Sequence, residues 1–364
     1  MDSRFLFSLL GLLGACPVGT IGTTQAWAAV GQLELVTTER TAAIRDAQHR
    51  STLRITVWYP AAADAHENPL GIGDPDKPSF DVGTVAPGAA FAQNERYPTI
   101  LLSHGFGGSA RMMGWFGIAM ARRGYVVAAV DHPGNNGRDE MTMAGAILWW
   151  DRVEDLRSAL DAIGKDRTIG PRLDRDRLGV AGFSAGGFAA LVAAGARPDP
   201  SRFLRFCRNN PEDGDCQPGE EFAATMEERA QALALLEFSA DVARAGEDHA
   251  IAELRAAFAI APAWVQSFEP ASLSSMRVPV HIVQGDSDAV EPPKTSGLAA
   301  AAAIPQAQLD LLSGVSHYDF LSTCTEAGRI AIPACASAHH QEEAHRRAIS
   351  AAEVFFGRFL VGTR

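Results

Sequence analysis

The chain of 364 residues is 47% hydrophobic and 21% charged, which supplies a packed core and excludes a disordered or fibrous protein. Its 32 basic residues against 43 acidic ones, a net charge of −11, exclude a phosphate-binding surface and with it nucleic acid as a partner. Length alone leaves open one large α/β unit or two ordinary domains.

The N-terminus reads as an export signal, with Arg4 followed by an apolar run over residues 5–13. Two processing sites compete. Ala26-Trp27-Ala28 fits a small-x-small cleavage site that releases a chain beginning at Ala29, whereas Leu13-Gly14-Ala15-Cys16 has the form of a lipobox, at which Cys16 would carry a lipid and tether the protein to a membrane. Either route places the protein outside the cytoplasm, periplasmic or secreted. No later apolar run reaches the ~18–20 residues of a membrane helix. The other four cysteines form two sequence-local pairs, Cys207 with Cys216 and Cys324 with Cys335. Each pair brackets a turn-rich segment, so a disulfide within each pair is expected, in keeping with an oxidising compartment.

Residues 32–38 and 52–59 alternate apolar and polar side chains and predict an antiparallel edge hairpin, followed over residues 61–96 by a long surface loop rich in Pro, Gly, Asp and Ala. Strands are then expected over residues 97–103, 125–130 and 178–183, separated by helical patterns over residues 109–123 and at Val153, Leu156, Leu160 and Ile163. Strand alternating with helix signifies a mostly parallel sheet covered on both faces. The pattern breaks at residues 197–254, where an acidic, Ala/Leu-rich helical stretch spans residues 220–255. This segment reads as a helical cap inserted over a cleft. Strands at 257–260, 278–283 and 308–312 and a closing helix over 349–360 complete the chain, giving a signal over residues 1–28 and one catalytic domain over 29–364, with its cap at about 197–254. There is no internal repeat.

Gly182-Phe183-Ser184-Ala185-Gly186 matches G-x-S-x-G between a predicted strand and a small-residue helix. A sharp strand-to-helix turn projects such a serine in a strained conformation, and the flanking glycines let neighbouring backbone pass. Ser184 is therefore the candidate nucleophile. A serine hydroxyl needs a base and a group to orient that base, in the chain order Ser, acid, His. His317, after the last strand in Gly314-Val315-Ser316-His317, is the candidate base. The acid comes from Gly285-Asp286-Ser287-Asp288-Ala289-Val290, with Asp288 the first candidate and Asp286 the second. Ser103-His104-Gly105-Phe106-Gly107-Gly108 follows an earlier strand, and its glycines let backbone N–H groups approach a substrate oxygen, so the amides of Phe106 and Ala185 are the candidate oxyanion donors.

Through Leu102 to Gly108, Gly124 to Gly134, Trp150 to Asp155, the elbow, and Gly314 to Phe320, the chain resembles α/β-hydrolases of the dienelactone-hydrolase-like, platelet-activating-factor-acetylhydrolase-like group, over about residues 50–196 and 256–322. It also resembles cutinase-like polyester hydrolases. The resemblance implies an α/β-hydrolase fold and hydrolysis of a carboxylic ester, small-molecule or lipid, by acyl transfer through serine, with neither metal nor organic cofactor. Dienelactone hydrolases carry cysteine at the elbow, where this chain has Ser184.

Rival readings remain. Gly105-Phe106-Gly107-Gly108-Ser109-Ala110 also satisfies G-x-G-x-x-A, with Asp131 about twenty residues on where a ribose-binding acid would stand, but His104 and Pro133 fit the hydrolase pattern. A binding module that has kept the hydrolase fold without activity is the other class. Among the remaining histidines, His281 falls inside a strand and reads as a core residue, and His339, His340 and His345 lack the spacing of a metal motif.

Overall fold

The computed structural model describes residues 29–219 and 221–362. The export signal, both cleavage sites and Cys16 lie outside the described residues. β1 (Ala29–Thr38) pairs antiparallel with β2 (Thr52–Ala61), as the alternation of Leu53, Ile55 and Val57 predicts. The next segment departs from expectation. Residues 61–96 contain a hairpin, β3 (Asn68–Asp74) and β4 (Lys77–Pro87), in place of a long loop. Phe80, Val82 and Val85 of β4 are buried, and β4 joins the sheet beside β1. Its Pro and Gly content misleads because Gly71 and Gly73 serve the register shifts of a twisted hairpin.

β5 (Tyr97–Ser103), β6 (Val126–Asp131), β7 (Leu173–Phe183), β8 (Leu254–Ile260), β9 (Val280–Gly285) and β10 (Gln308–Leu312) are the parallel strands, and β11 (Thr323–Cys324) extends the far edge against β4. The sheet runs β10-β9-β8-β7-β5-β6-β2-β1-β4-β11, with β3 paired to β4. Helices cover both faces. On one, Val153, Leu156, Leu160 and Ile163 of the helix Asp151–Lys165 pack with Phe188 and Leu191; on the other, Ala344, Ala348, Ala352 and Phe356 of the helix Gln341–Phe356 pack with Phe116 and Phe258. Among the described residues no helix is long and apolar enough to cross a membrane.

From β5 the chain crosses to β6 on one side, then returns to β7 on the other. The loops leaving β5 and β7 therefore diverge, which opens a crevice at the carboxyl ends of the strands. Ser103 stands opposite Gly182 in the register, so the glycine-rich loop after β5 begins alongside the turn after β7.

Residues 197–253 lie between the helix Ala185–Ala193 and β8. The acidic helical stretch expected over residues 220–255 contains two short helices, Met226–Leu233 and Ser239–Arg244. Consecutive apolar residues from Leu233 to Leu236 break the helical period, and the chain turns there. The first helix starts at a capping box of Thr225 and Glu228. The segment is also more than a solvated face: Ala232, Phe238 and Ala245 pack against Ile147, Leu148 and Trp150.

Both disulfides join the sequence-local pairs, Cys207 to Cys216 and Cys324 to Cys335. The first fastens the helix Pro200–Asn209 to the turn Gly214–Cys216, which is seated on the backbone of Ala289 and Val290. Closing a loop of this size should stabilise by about 2–3 kcal/mol. The double substitution Cys207→Ser and Cys216→Ser is expected to lower the denaturant midpoint correspondingly, and an unchanged midpoint would contradict that role.

Candidate active site

Ser184 ends β7 and caps the helix Ala185–Ala193 at φ 54° and ψ −119°, a region that side chains with a Cβ rarely occupy. Its neighbours hold it there. The Ser184 amide donates to the Ile260 carbonyl at 2.8 Å, and the Ala263 amide donates to the Ser184 carbonyl at 3.1 Å. The elbow glycines are required by close backbone approach: a Cβ on Gly182 would lie 2.1 Å from the Gly186 carbonyl oxygen, and one on Gly186 would lie 2.0 Å from that of Ser103.

His317 opens a turn after β10, and its Nδ1 lies 2.8 Å from Asp288 Oδ2. Both residues are buried. The other Asp288 oxygen accepts from the amides of Val290 (3.0 Å) and Glu291 (2.8 Å), and Oδ2 also accepts from Gln284 Nε2 at 3.1 Å. A carboxylate so surrounded is held in one orientation. Asp286 is elsewhere. It is exposed, accepts from the Gly314 amide at 2.7 Å and from the Ser287 hydroxyl, and those bonds lower its pKa. Its part is to pin the start of the His317 loop, which Asp319 fixes from the other end by accepting from the Ser316 amide and hydroxyl and from the His340 amide.

The loop from His104 to Gly108 lies beside Ser184. The Gly107 amide donates to Asn135 Oδ1 at 2.9 Å, and the buried Arg152 donates both to that same oxygen (2.9 Å) and to the His104 carbonyl (2.7 Å). Ala185 is the first residue of its helix, so its N–H has no acceptor within the helix. Beneath the loop lies a buried polar chain. Arg45 makes a bidentate pair with Asp155 at 2.7 and 2.8 Å, Asp155 accepts from His132 Nδ1 at 2.8 Å, and His132 Nε2 accepts from the Ser103 hydroxyl at 2.7 Å. His104 Nδ1 donates to the Gly105 carbonyl, and its Nε2 accepts the His132 amide. Burial first, with the charge of Arg152 adding to it, holds both imidazoles well below the ordinary histidine range. Asp131, the alternative ribose acid, is engaged in structure: it accepts from the Ala110 amide and pairs with Arg54 and Arg138.

A cavity of about 300 Å³ opens on Ser184 and His317. Phe106, Met112, Phe183 and Trp264 form apolar wall, while residues 214–219, Glu221, Arg229 and Glu291 line the rest. Trp264, at φ 51°, stacks on Trp149 at 4.4 Å and meets Phe106 edge-on at 6.2 Å. Its amide donates to Asp215 Oδ2 at 2.9 Å. Burial pushes the Asp215 carboxyl up to about 7 and that of Glu291 beside it well above the usual range.

Residues 82–145 match the family described as platelet-activating factor acetylhydrolase, isoform II. The chain is similar to Cutinase est2 of Thermobifida alba, 29% identical over 140 residues, which is 37% of this chain and 43% of that one. It is also similar to the bis(hydroxyethyl) terephthalate hydrolase of Streptomyces coelicolor, 26% identical over 142 residues, 38% of this chain and 43% of the relative. These matches span less than half of either curated relative. A ferulic acid esterase from Streptomyces cinnamoneus superimposes with a TM-score of 0.58 and 20% identity, covering 96% of this chain and 93% of the other. The fold is that of the α/β-hydrolases.

Within this fold, sequence reasoning located the four loops that converge on the cavity but missed what holds and walls them. Arg152 and Asp155 lay in a quoted motif without a role. Asp215, Arg229 and Glu291 had no signal, because their meeting depends on how residues 197–253 fold back. His281 is buried in β9, as expected, and hydrogen-bonds Gln308 and Asp310. His345 stacks on Trp115 at 3.9 Å.

The neutral His104 and His132 dictate a pH response. Their unfolded counterparts bind protons below about pH 6.5, so the unfolded state gains protons there that the folded state does not. Each histidine's contribution to stability should fall as pH drops through that value, by up to about 1.4 kcal/mol per pH unit, while buried carboxyls with raised pKa, Asp215 and Glu291 among them, contribute in the opposite sense. Unfolding midpoints of the parent and of His104→Asn at pH 7.5, 6 and 5 isolate the histidine. The variant should lose less stability, or gain more, between pH 7.5 and 5 than the parent does, and an identical pH dependence would contradict the assignment.

Proposed function

We propose that this protein is a carboxylic ester hydrolase that works through an acyl-enzyme on Ser184. The observation that carries the reading is the 2.8 Å bond between Asp288 and His317 at a cavity into which a serine is turned at φ 54°. Likeness to cutinases and to a terephthalate ester hydrolase over 140 or so residues supports the same chemistry.

In this reading His317 Nε2 takes the proton as Ser184 Oγ attacks the ester carbonyl carbon. Asp288 holds Nδ1–H and so selects the tautomer with a basic Nε2, then stabilises the imidazolium. The Phe106 and Ala185 amides receive the oxyanion, at the positive end of the helix Ala185–Ala193. Collapse of the tetrahedral intermediate breaks the bond to the alcohol oxygen, which takes the proton from His317. Water then enters, gives a proton to His317, and its oxygen attacks the acyl carbon; the acid leaves as the proton returns to Ser184. We read residues 197–253 as a cap, since its turn at 214–219 and Arg229 wall the cavity. A walled cavity of about 300 Å³ favours short to medium acyl groups over a polymer chain, which needs an open groove. The two disulfides favour an exported protein.

Turnover of 4-nitrophenyl esters with acyl chains of two to sixteen carbons tests the proposal. Ser184→Ala is expected to abolish it, and Asp288→Asn to reduce kcat on the order of 10⁴-fold, while Asp286→Asn should cost far less. Equal losses at Asp286 and Asp288 would reject the assignment of the acid. Ser184-dependent turnover that peaks on long chains or extends to polyester film favours the cutinase-like alternative, and a folded protein without turnover at any length would be a binding module.

A further inference from the structure

Arg229 is 5% exposed, yet it lines the same cavity as Ser184 and His317. Its Nε donates to the Ala224 carbonyl at 3.3 Å, and its guanidinium lies over the Phe106 ring at 5.5 Å from the centroid. Among the described residues, no carboxylate oxygen comes within 4.0 Å of it, and its remaining N–H groups have no protein acceptor. A buried guanidinium in that state is costly, because desolvation is uncompensated by a contacting partner. Of the other ionisable groups on the wall, Asp215 attracts Arg229 through space and offsets part of that cost, but makes no direct ion pair with it. Asp215 accepts from the Trp264 amide and stands beside Glu291, whose carboxyl burial pushes well above the usual range, and Glu221 is exposed with contacts of its own. His317 is engaged by Asp288.

A guanidinium presents a planar fork of donors suited to a carboxylate, and its place over the Phe106 ring, 5.5 Å from the centroid, adds a cation–π contact that steadies the charge in the cavity. Phe106 is also the residue whose amide is assigned to the oxyanion. We propose that Arg229 is the anchor for an anionic group on the substrate, so that the preferred esters carry a free carboxylate on the part that fills the cavity. This rests on the ester-hydrolase reading and narrows it: the substrate class is the half-ester of a dicarboxylic acid, or the ester of a hydroxy acid. The apolar wall of Phe106, Phe183 and Trp264 takes the carbon skeleton, and the charged end meets Arg229.

Two matched pairs of esters test the proposal. Monomethyl adipate against methyl hexanoate places the charge on the acyl side, and 4-(butyryloxy)butanoate against butyl butanoate places it on the alcohol side. One pair is expected to show a kcat/KM preference for the anionic ester, and Arg229→Met should cut that ratio by about 10- to 100-fold, the worth of a charge-assisted pair. Arg229→Lys should keep part of the preference, and it guards against loss of fold in the first variant. Using the ratio within each variant removes any general effect of altered packing on Phe106. No preference in either pair, or a ratio that Arg229→Met leaves unchanged, would overturn the anchor. Neutral esters that are hydrolysed in a Ser184-dependent way keep the parent reading intact in that event, whereas a folded protein that turns over neither the neutral nor the anionic esters would refute the parent reading itself.

Discussion

A serine held at φ 54° sets the terms for the whole site. Such a backbone costs about 1–3 kcal/mol and persists only where its surroundings over-determine it. Here β8 takes the Ser184 amide through Ile260, the loop after β8 takes its carbonyl through Ala263, and Gly182 and Gly186 admit backbone at distances that any side chain would block. The parallel sheet thus positions Ser184 before any side chain of the site is considered. Changing the strand order would remove Ile260 from its reach.

Around that fixed point, the remaining groups are rigid for different reasons. Asp288 is immobilised by two amides and a buried glutamine amide, and the loop of His317 is pinned at one end by exposed Asp286 and at the other by buried Asp319. The glycine-rich loop after β5 is held by its own turn, where the Gly108 amide and His104 Nδ1 donate to the Gly105 carbonyl, and by more distant groups. It relies on Arg152 and Asn135, and through His104 on the chain His132, Asp155 and Arg45. Arg45 comes from the segment between β1 and β2, so the antiparallel edge of the sheet is coupled to the glycine-rich loop after β5 through buried polar groups. In a low-dielectric interior such a network is worth having only when all its members are paired.

Much of this was legible in sequence because it follows local rules. The elbow, the strand-end aspartates and histidine, and the H-G-x-G-G loop are short motifs whose meaning depends on adjacent strand and helix patterns. Asp288 was ranked ahead of Asp286 on its sequence setting, but what separates them physically, the amides each finds after folding, was not legible there. The hairpin at residues 68–87 was hidden by its Pro and Gly content, although Phe80, Val82 and Val85 carried a pattern of burial. The wall formed by Asp215, Arg229, Trp264 and Glu291 had no local signature at all. Its members come from three separate stretches brought together by the Cys207–Cys216 loop and by the turn of Trp264 at φ 51°.

The central claim is that Ser184 is the group that forms a bond to the substrate. Intact-mass and peptide mass spectrometry after treatment with a fluorophosphonate tests it most directly, because phosphonylation requires both the nucleophile and its base. The account predicts a single adduct on the peptide carrying Ser184, lost in His317→Ala as well as in Ser184→Ala. An unlabelled folded protein, or an adduct on another residue, would contradict it.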